Sequence, residues 1–206
     1  MSENEQFEVR HEKSKKLRTL GINPYRNGIT PSHTALQIHS KYESYPKEAL
    51  EKESFVVSVA GRVMAIRDFG KAGFVRVLDR TGLIQVYIAK DLLGDKGYEL
   101  YKQFVDLGDI AFVEGKVFRT KTNELSIQAT RFELLTKALR PLPEKFHGIT
   151  DVELRYRHRS LDLIMNADVR KVFQARTKII SLIREFFNSR YFFESDTPIL
   201  QTIAGG

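Results

Sequence analysis

The most constraining feature of this sequence is a change of hydrophobic period between residues 54 and 135. Within it lie apolar or alternating segments of strand length, at residues 57–63, 74–78 and 83–88. Because the side chains of a strand point alternately to its two faces, this pattern predicts three strands. Glycine-containing turn sequences at residues 68–73 and 79–82 separate them.

A helical pattern and two more strand patterns complete this zone. Tyr98, Tyr101 and Phe104 recur at helical spacing, and the apolar segments Ile110–Arg119 and Glu124–Leu135 follow. Three strands, a helix and two strands is the element order of the OB-fold, a small closed barrel that binds oligonucleotides on one face. We therefore predict an OB-fold barrel here.

Residues on either side of the barrel carry helical patterns. The pattern of residues 9–20 predicts a basic first helix, and Thr34 can cap a short second one. After the barrel, Arg140-Pro-Leu-Pro143 predicts an extended hinge, because proline fixes its own backbone and restricts the preceding residue.

Beyond the hinge the sequence predicts two helices and a strand. Asp151 can cap a helix that runs through the Arg155–Arg159 cluster, and a longer amphipathic helix is expected from Asp168 to Ser189. A strand is expected over Phe192–Leu200. The chain as a whole is predicted to be α+β, with bounds at 1–53, 54–137, 138–150 and 151–206.

Composition excludes several classes of function. The 206 residues include no cysteine, which rules out disulfides, thiolate metal sites and cysteine nucleophiles. No apolar run approaches the roughly eighteen residues of a membrane span, and the polar start carries no secretory signal, so a cytoplasmic protein is expected. The net charge of +7 suits a phosphate-rich partner, although solubility alone explains such a charge equally well.

Four segments resemble one family, the lysyl-tRNA synthetases. Residues 114–127 resemble the fourth and fifth barrel strands of that family, and residues 135–148, followed by 151–163, resemble its linker. Thr197-Pro-Ile-Leu200 is similar to the centre of class II motif 1. The resemblance runs from about Leu17 to Gly206 and implies an anticodon-binding barrel, then the start of a class II antiparallel-sheet catalytic domain.

The family resemblance implies a function for the complete enzyme. Lysine is activated with ATP and Mg²⁺ and transferred to tRNA-Lys by a homodimer. Motifs 2 and 3 would lie beyond residue 206, so no catalytic or metal-binding residue is expected in this chain, and the chain alone is expected to be inactive. A non-catalytic OB-fold tRNA-binding module and an aspartyl- or asparaginyl-type relative are the alternatives.

By position in the family motif, four residues are expected to read the anticodon. Phe74 would stack on a base, and Arg67, Gln85 and Glu124 would hydrogen-bond base edges. From the pattern alone, an ordinary core aromatic is the favoured interpretation of Phe74, and only the family motif favours stacking. Exposed cations on the barrel would contact the tRNA backbone: Lys71, Lys116, Arg119 and Lys121.

The C-terminal segment is expected to supply a dimer interface and part of a substrate site. The dimer residues implied by motif 1 are Ile179, Ile183, Phe187 and Pro198, and Gly205 or Gly206 would lie beside the lysine substrate. Tyr191 departs from the family, which usually has glycine at this helix end, where a positive φ is often required.

Overall fold

The structure is a computed structural model that describes residues 2–143 and 149–198. The chain divides between Leu142 and Pro143 into two compact units. This division falls inside the segment where prolines predict a hinge. The finer bounds at residues 53, 137 and 150 stay predictions.

Three helices precede the barrel. Helix α1 (Glu3–Thr19) begins at a capping box in which Ser2 and Glu5 bond each other's backbone N–H. Thr34 caps α2 (Ala35–Tyr42) as predicted. Helix α3 (Lys47–Glu53) was not expected, because its seven residues include only one buried apolar side chain and show no periodic stripe.

The barrel has the predicted element order. It contains β1 (Val56–Asp68), β2 (Ala72–Leu78), β3 (Leu83–Ala89), α4 (Lys90–Phe104), β4 (Ile110–Arg119) and β5 (Leu125–Thr136). The strands close in the order β1-β2-β3-β5-β4, and the β3–β5 pair is parallel. The five-stranded OB-fold is confirmed, with α4 starting earlier than the tyrosine pattern indicated and bending at Gly94.

Alternation along the strands separates an apolar interior from an outer face. Val75, Val77 and Val86 are buried inside the barrel, whereas the residues between them point outward. Glycine is required where β4 crosses β5, because a Cβ on Gly115 would lie 2.0 Å from the carbonyl oxygen of Gln128. The close approach of β4 to β5 therefore leaves no room for a side chain at residue 115.

The second unit is helical in the part that the structure describes. A single helix through the arginine cluster was expected, and this is wrong: α5 (Val152–Arg157) ends at His158, and α6 (Arg159–Met165) begins after it. Helix α7 (Ala167–Asn188) matches the prediction. The strand expected from Phe192 is absent as far as Pro198, and its last two residues lie outside the described ranges.

No helix among residues 2–143 and 149–198 is long and apolar enough to span a membrane. The longest, α7, has charged side chains along its length.

Candidate nucleic-acid interface

The outer face of β1, β2 and β3 brings the expected base-reading residues onto neighbouring strands. Arg67 pairs with Phe74 across β1 and β2, and Phe74 pairs with Tyr87 across β2 and β3. Gln85 lies two residues before Tyr87 and therefore on the same face. Phe74 points away from the buried Val75, so the alternative of a barrel-core aromatic is not what the structure shows.

Aromatic rings form a continuous row across this face. The ring centroid of Phe74 lies 5.2 Å from that of Tyr87 and 6.4 Å from that of Phe69. Tyr87 in turn lies 6.0 Å from Phe118. Phe69, in the β1–β2 loop, is 70% exposed. Flat, partly exposed rings are surfaces on which unpaired bases stack.

Polar groups flank the aromatic row and are already oriented. Gln85 Nε2 donates to Ser126 Oγ at 3.1 Å, which leaves the amide oxygen of Gln85 free. Arg76 Nη2 donates to Glu124 Oε1, also at 3.1 Å. Arg76 was missed in the sequence, although its position two residues after Phe74 places it on the same face.

The β4–β5 loop carries Glu124 and has a defined shape. Thr120 Oγ1 accepts the Glu124 N–H at 3.1 Å, and Asn123 adopts a left-handed φ of 65°. Asparagine is one of the few residues that tolerate this conformation. The carboxylate of Glu124 is therefore presented from a turn held by hydrogen bonds.

The expected phosphate contacts divide into two kinds. Lys71, Lys116 and Lys121 are exposed, as such contacts require. Arg119 is buried and donates to the backbone carbonyls of Glu43, Tyr45 and Asn123. Its expected role as a phosphate contact is corrected, because the guanidinium faces protein carbonyls and not solvent.

The arginine cluster of the second unit is organised around one buried carboxylate. Arg155 Nε donates to Asp162 at 3.0 Å, and Arg159 pairs with the other oxygen of Asp162. Burial would raise the pKa of Asp162, but hydrogen bonds from Asn166 and Arg155 outweigh it and lower the pKa. Asp162 therefore ties α5 to α6, and two of the arginines are occupied within their own unit.

The expected dimer residues are exposed on α7. Ile179 is 57% exposed, Ile183 and Phe187 are about half exposed, and Pro198 is also exposed. No residue of this helix is buried. Gly205 and Gly206 lie outside the described residues. Within residues 2–143 and 149–198 no group of three or more His, Cys, Asp or Glu side chains forms a metal-binding set.

Fold and interface together define the class of protein. Residues 57–135 match the family model for the OB-fold nucleic acid binding domain of the tRNA anticodon-binding type. Residues 151–206 match the class II tRNA synthetases of the D, K and N group. The chain therefore joins an anticodon-binding barrel to part of a class II synthetase domain.

The similar proteins are lysine–tRNA ligases. That of Oceanobacillus iheyensis is 47% identical over 98% of this chain and 41% of its own length. Those of Bacillus cytotoxicus and Bacillus subtilis strain 168 are 46% and 47% identical over 98% of this chain and 40% of their own lengths. The chain is thus homologous to the N-terminal part of lysine–tRNA ligases and spans about two fifths of the curated relatives it matches.

Proposed function

We propose that this chain recognises the anticodon of tRNA-Lys for a lysine–tRNA ligase. The observation that carries the proposal is the row of partly exposed aromatics across β1–β3, flanked by Arg67, Gln85 and Glu124. The complete enzyme would act in the cytoplasm as a homodimer that uses ATP, Mg²⁺ and lysine.

Base reading on this face follows from the chemistry of each group. The anticodon bases are unpaired, so they can leave their own stack and lie against Phe74. Arg67 can only donate hydrogen bonds, ionised Glu124 can only accept them, and Gln85 does both. A uracil edge offers an N–H donor between two carbonyl acceptors, which matches such a set.

Phosphate contacts would add affinity without selectivity. Lys71 belongs to the β1–β2 loop and Lys121 to the β4–β5 loop, so these two cations flank the aromatic row. Lys116 lies on β4, two residues from Phe118. Each cation that contacts a phosphate releases counterions, so the affinity would fall as salt is added.

The second unit would contribute to dimerisation, and the catalytic chemistry would belong to residues outside this chain. Exposed Ile179, Ile183 and Phe187 on α7, with Pro198 beyond it, are the side chains that a second copy would cover. Gly205 or Gly206 would let the backbone approach lysine.

The direct test compares anticodon stem-loops. The 206-residue chain is titrated with a lysine-type stem-loop and with one of the same stem but another anticodon, at fixed salt. The lysine-type loop should bind more tightly, and Phe74→Ala should remove about 1–3 kcal/mol of that binding. Phe193→Ala, which truncates a fully exposed aromatic of the second unit, is the matched control. Equal binding of both loops by the unaltered chain would contradict the proposal.

A further inference from the structure

Arg119, the last residue of β4, donates hydrogen bonds to three backbone carbonyls at once. Nε donates to the carbonyl of Tyr45 at 3.1 Å and Nη1 to that of Asn123 at 2.8 Å. Nη2 donates to the carbonyl of Glu43. A guanidinium carries donors in a planar fork, so one side chain can satisfy carbonyls that approach from different directions.

The three carbonyls come from two loops that lie in different parts of the unit. Glu43 and Tyr45 belong to the connection between α2 and α3, whereas Asn123 belongs to the β4–β5 loop that carries Glu124. Arg119 itself is only 7% exposed. The aromatic Tyr45 packs on Phe55 with a centroid distance of 5.4 Å, so the helical connection is itself anchored. The β4–β5 loop is thereby fastened to a packed part of the unit.

We infer that Arg119 is a positioning residue for anticodon discrimination, acting through the β4–β5 loop on Glu124. The inference rests on the proposed function, because Glu124 is the base-reading group that Arg119 would place. Within the loop, the Glu124 N–H donates to Thr120 Oγ1, and backbone bonds run from the Thr120 N–H to Glu124 and from the Asn123 N–H to Thr120. The left-handed Asn123 lies between them. Without Arg119 the Asn123 carbonyl loses its charged donor, and the turn keeps its internal bonds but loses its attachment to the α2–α3 connection.

This role differs in a measurable way from a phosphate contact. A group that only fixes the place of a base-reading carboxylate changes selectivity and leaves the number of neutralised phosphates unchanged. A phosphate contact lowers affinity for every sequence and reduces the salt slope by about one. Arg119 and the exposed Lys116 lie three residues apart on β4, which provides a matched pair of cations.

The test uses the 206-residue chain with Arg119→Met, which keeps most of the aliphatic volume, and with Arg119→Lys, which keeps the charge. We expect Arg119→Met to weaken the lysine-type stem-loop about tenfold, close to the value of one charged hydrogen bond. Binding of the other stem-loop and the salt slope should not change. Arg119→Lys should lose less, because an ammonium can still donate to a carbonyl. Lys116→Met should weaken both loops equally.

Coupling to Glu124 and to the loop makes the test specific. In a Glu124→Ala background, Arg119→Met should have little further effect, since both changes remove the same contact. Thr120→Val removes the hydroxyl that accepts the Glu124 N–H without touching the buried guanidinium, and it should also lower selectivity. An equal loss for both stem-loops, an additive loss with Glu124→Ala, or an unchanged selectivity in Thr120→Val would each overturn the inference. A lack of selectivity in the unaltered chain would instead overturn the proposed function.

Discussion

Arg76 on β2 and Glu124 in the β4–β5 loop form an ion pair, with 3.1 Å between Arg76 Nη2 and Glu124 Oε1. The pair joins two elements that are 48 residues apart in sequence. Both side chains are more than two fifths exposed, and the second carboxylate oxygen of Glu124 accepts no hydrogen bond from the described residues. Arg76 thus turns one oxygen of Glu124 toward the protein, and the proposed contact with a base would use the other.

Arg76→Ala should therefore change binding more than stability. An exposed ion pair contributes about 0–1 kcal/mol to folding, so the free energy of unfolding should change little. Affinity for the lysine-type stem-loop should fall severalfold, because Glu124 loses its orienting partner. Urea unfolding and stem-loop titration at one salt concentration measure the two effects. Unfolding that weakens in step with binding would argue against an orienting role.

Lys137→Met should destabilise the first unit strongly. Lys137 is fully buried, with Nζ 2.6 Å from Asp106 Oδ2 and 2.7 Å from Asp109 Oδ2. Removing one partner of such a group leaves buried charge uncompensated, which typically costs about 3–5 kcal/mol. The free energy of unfolding in urea measures this cost.

The pKa values of the two carboxylates that contact Lys137 are shifted in opposite directions. Burial raises the pKa of Asp109 even beside Lys137, whereas for Asp106 the effect of burial is outweighed by hydrogen bonds from Lys13 and Lys137, which lower its pKa. Lys47→Met, which breaks an exposed helical pair with Glu51, is the control and should cost well under about 1 kcal/mol. A similar loss of unfolding free energy in both variants would show that the buried ion pairs of Lys137 contribute no more to stability than an exposed pair.

Asp79 should make the first unit less stable in acid. Its carboxylate accepts bonds from the Ala35 N–H at 2.7 Å and from the Thr81 N–H at 2.6 Å, so it connects α2 to the β2–β3 turn. Burial would raise the pKa of Asp79, but hydrogen bonds from Thr81, Ala35 and Gly82 outweigh it and lower the pKa. A lowered carboxylate pKa adds stability above the unfolded value of about 3.9 that disappears as the pH falls through the folded value.

Asp79→Asn isolates this contribution. The variant should be less stable than the unaltered chain at pH 7, and the difference should shrink as the pH drops below about 4. Thermal unfolding across that pH range measures the difference. A gap that stays constant with pH would mean that the ionised carboxylate contributes nothing.

Tyr191→Gly should stabilise the second unit. Tyr191 has a φ of 64° and is 95% exposed, so its side chain contributes no burial. The Tyr191 N–H bonds to Asn188 and the Phe192 N–H to Phe187, the pattern of a helix end that needs a left-handed residue. Glycine removes a strain of about 1–2 kcal/mol, and the melting temperature should rise. Phe193→Gly, at an equally exposed residue without positive φ, should give no such rise.

The barrel was predictable because its sequence patterns lie within short windows. The hydrogen-bond partners of its side chains are distant in sequence and could not be predicted in this way. Alternation and glycine turns predict five strands and a helix, and the positive φ expected at residue 191 is confirmed. Alternation also contained a signal that was missed. Val113 and Val117 point inward, and Arg119 shares their parity, so its burial was readable from β4.

Other features depend on contacts that no sequence window contains. Asp162 pairs with Arg155 across the break at His158 and with Arg159 on its own helix, and the sequence pattern showed neither pairing. Arg76 contacts Glu124 only because β3 pairs with both β2 and β5 when the barrel closes. Pattern and family position together predict a base-reading role for this face, and that role stays a prediction. The hydrogen bonds within the face could be found only from the strand register.

The parallel pairing of β3 with β5 also limits when the barrel can close during synthesis. Gln85 pairs with Ser126 across these strands, so the face that carries Gln85 stays incomplete until β5 has been synthesised. Chains leave the ribosome from the N-terminus, at about 5–20 residues per second. The barrel ends at Thr136, before the exposed apolar side chains of α7 are made. A nascent chain can therefore close its barrel first, with no competing apolar helix present to trap it.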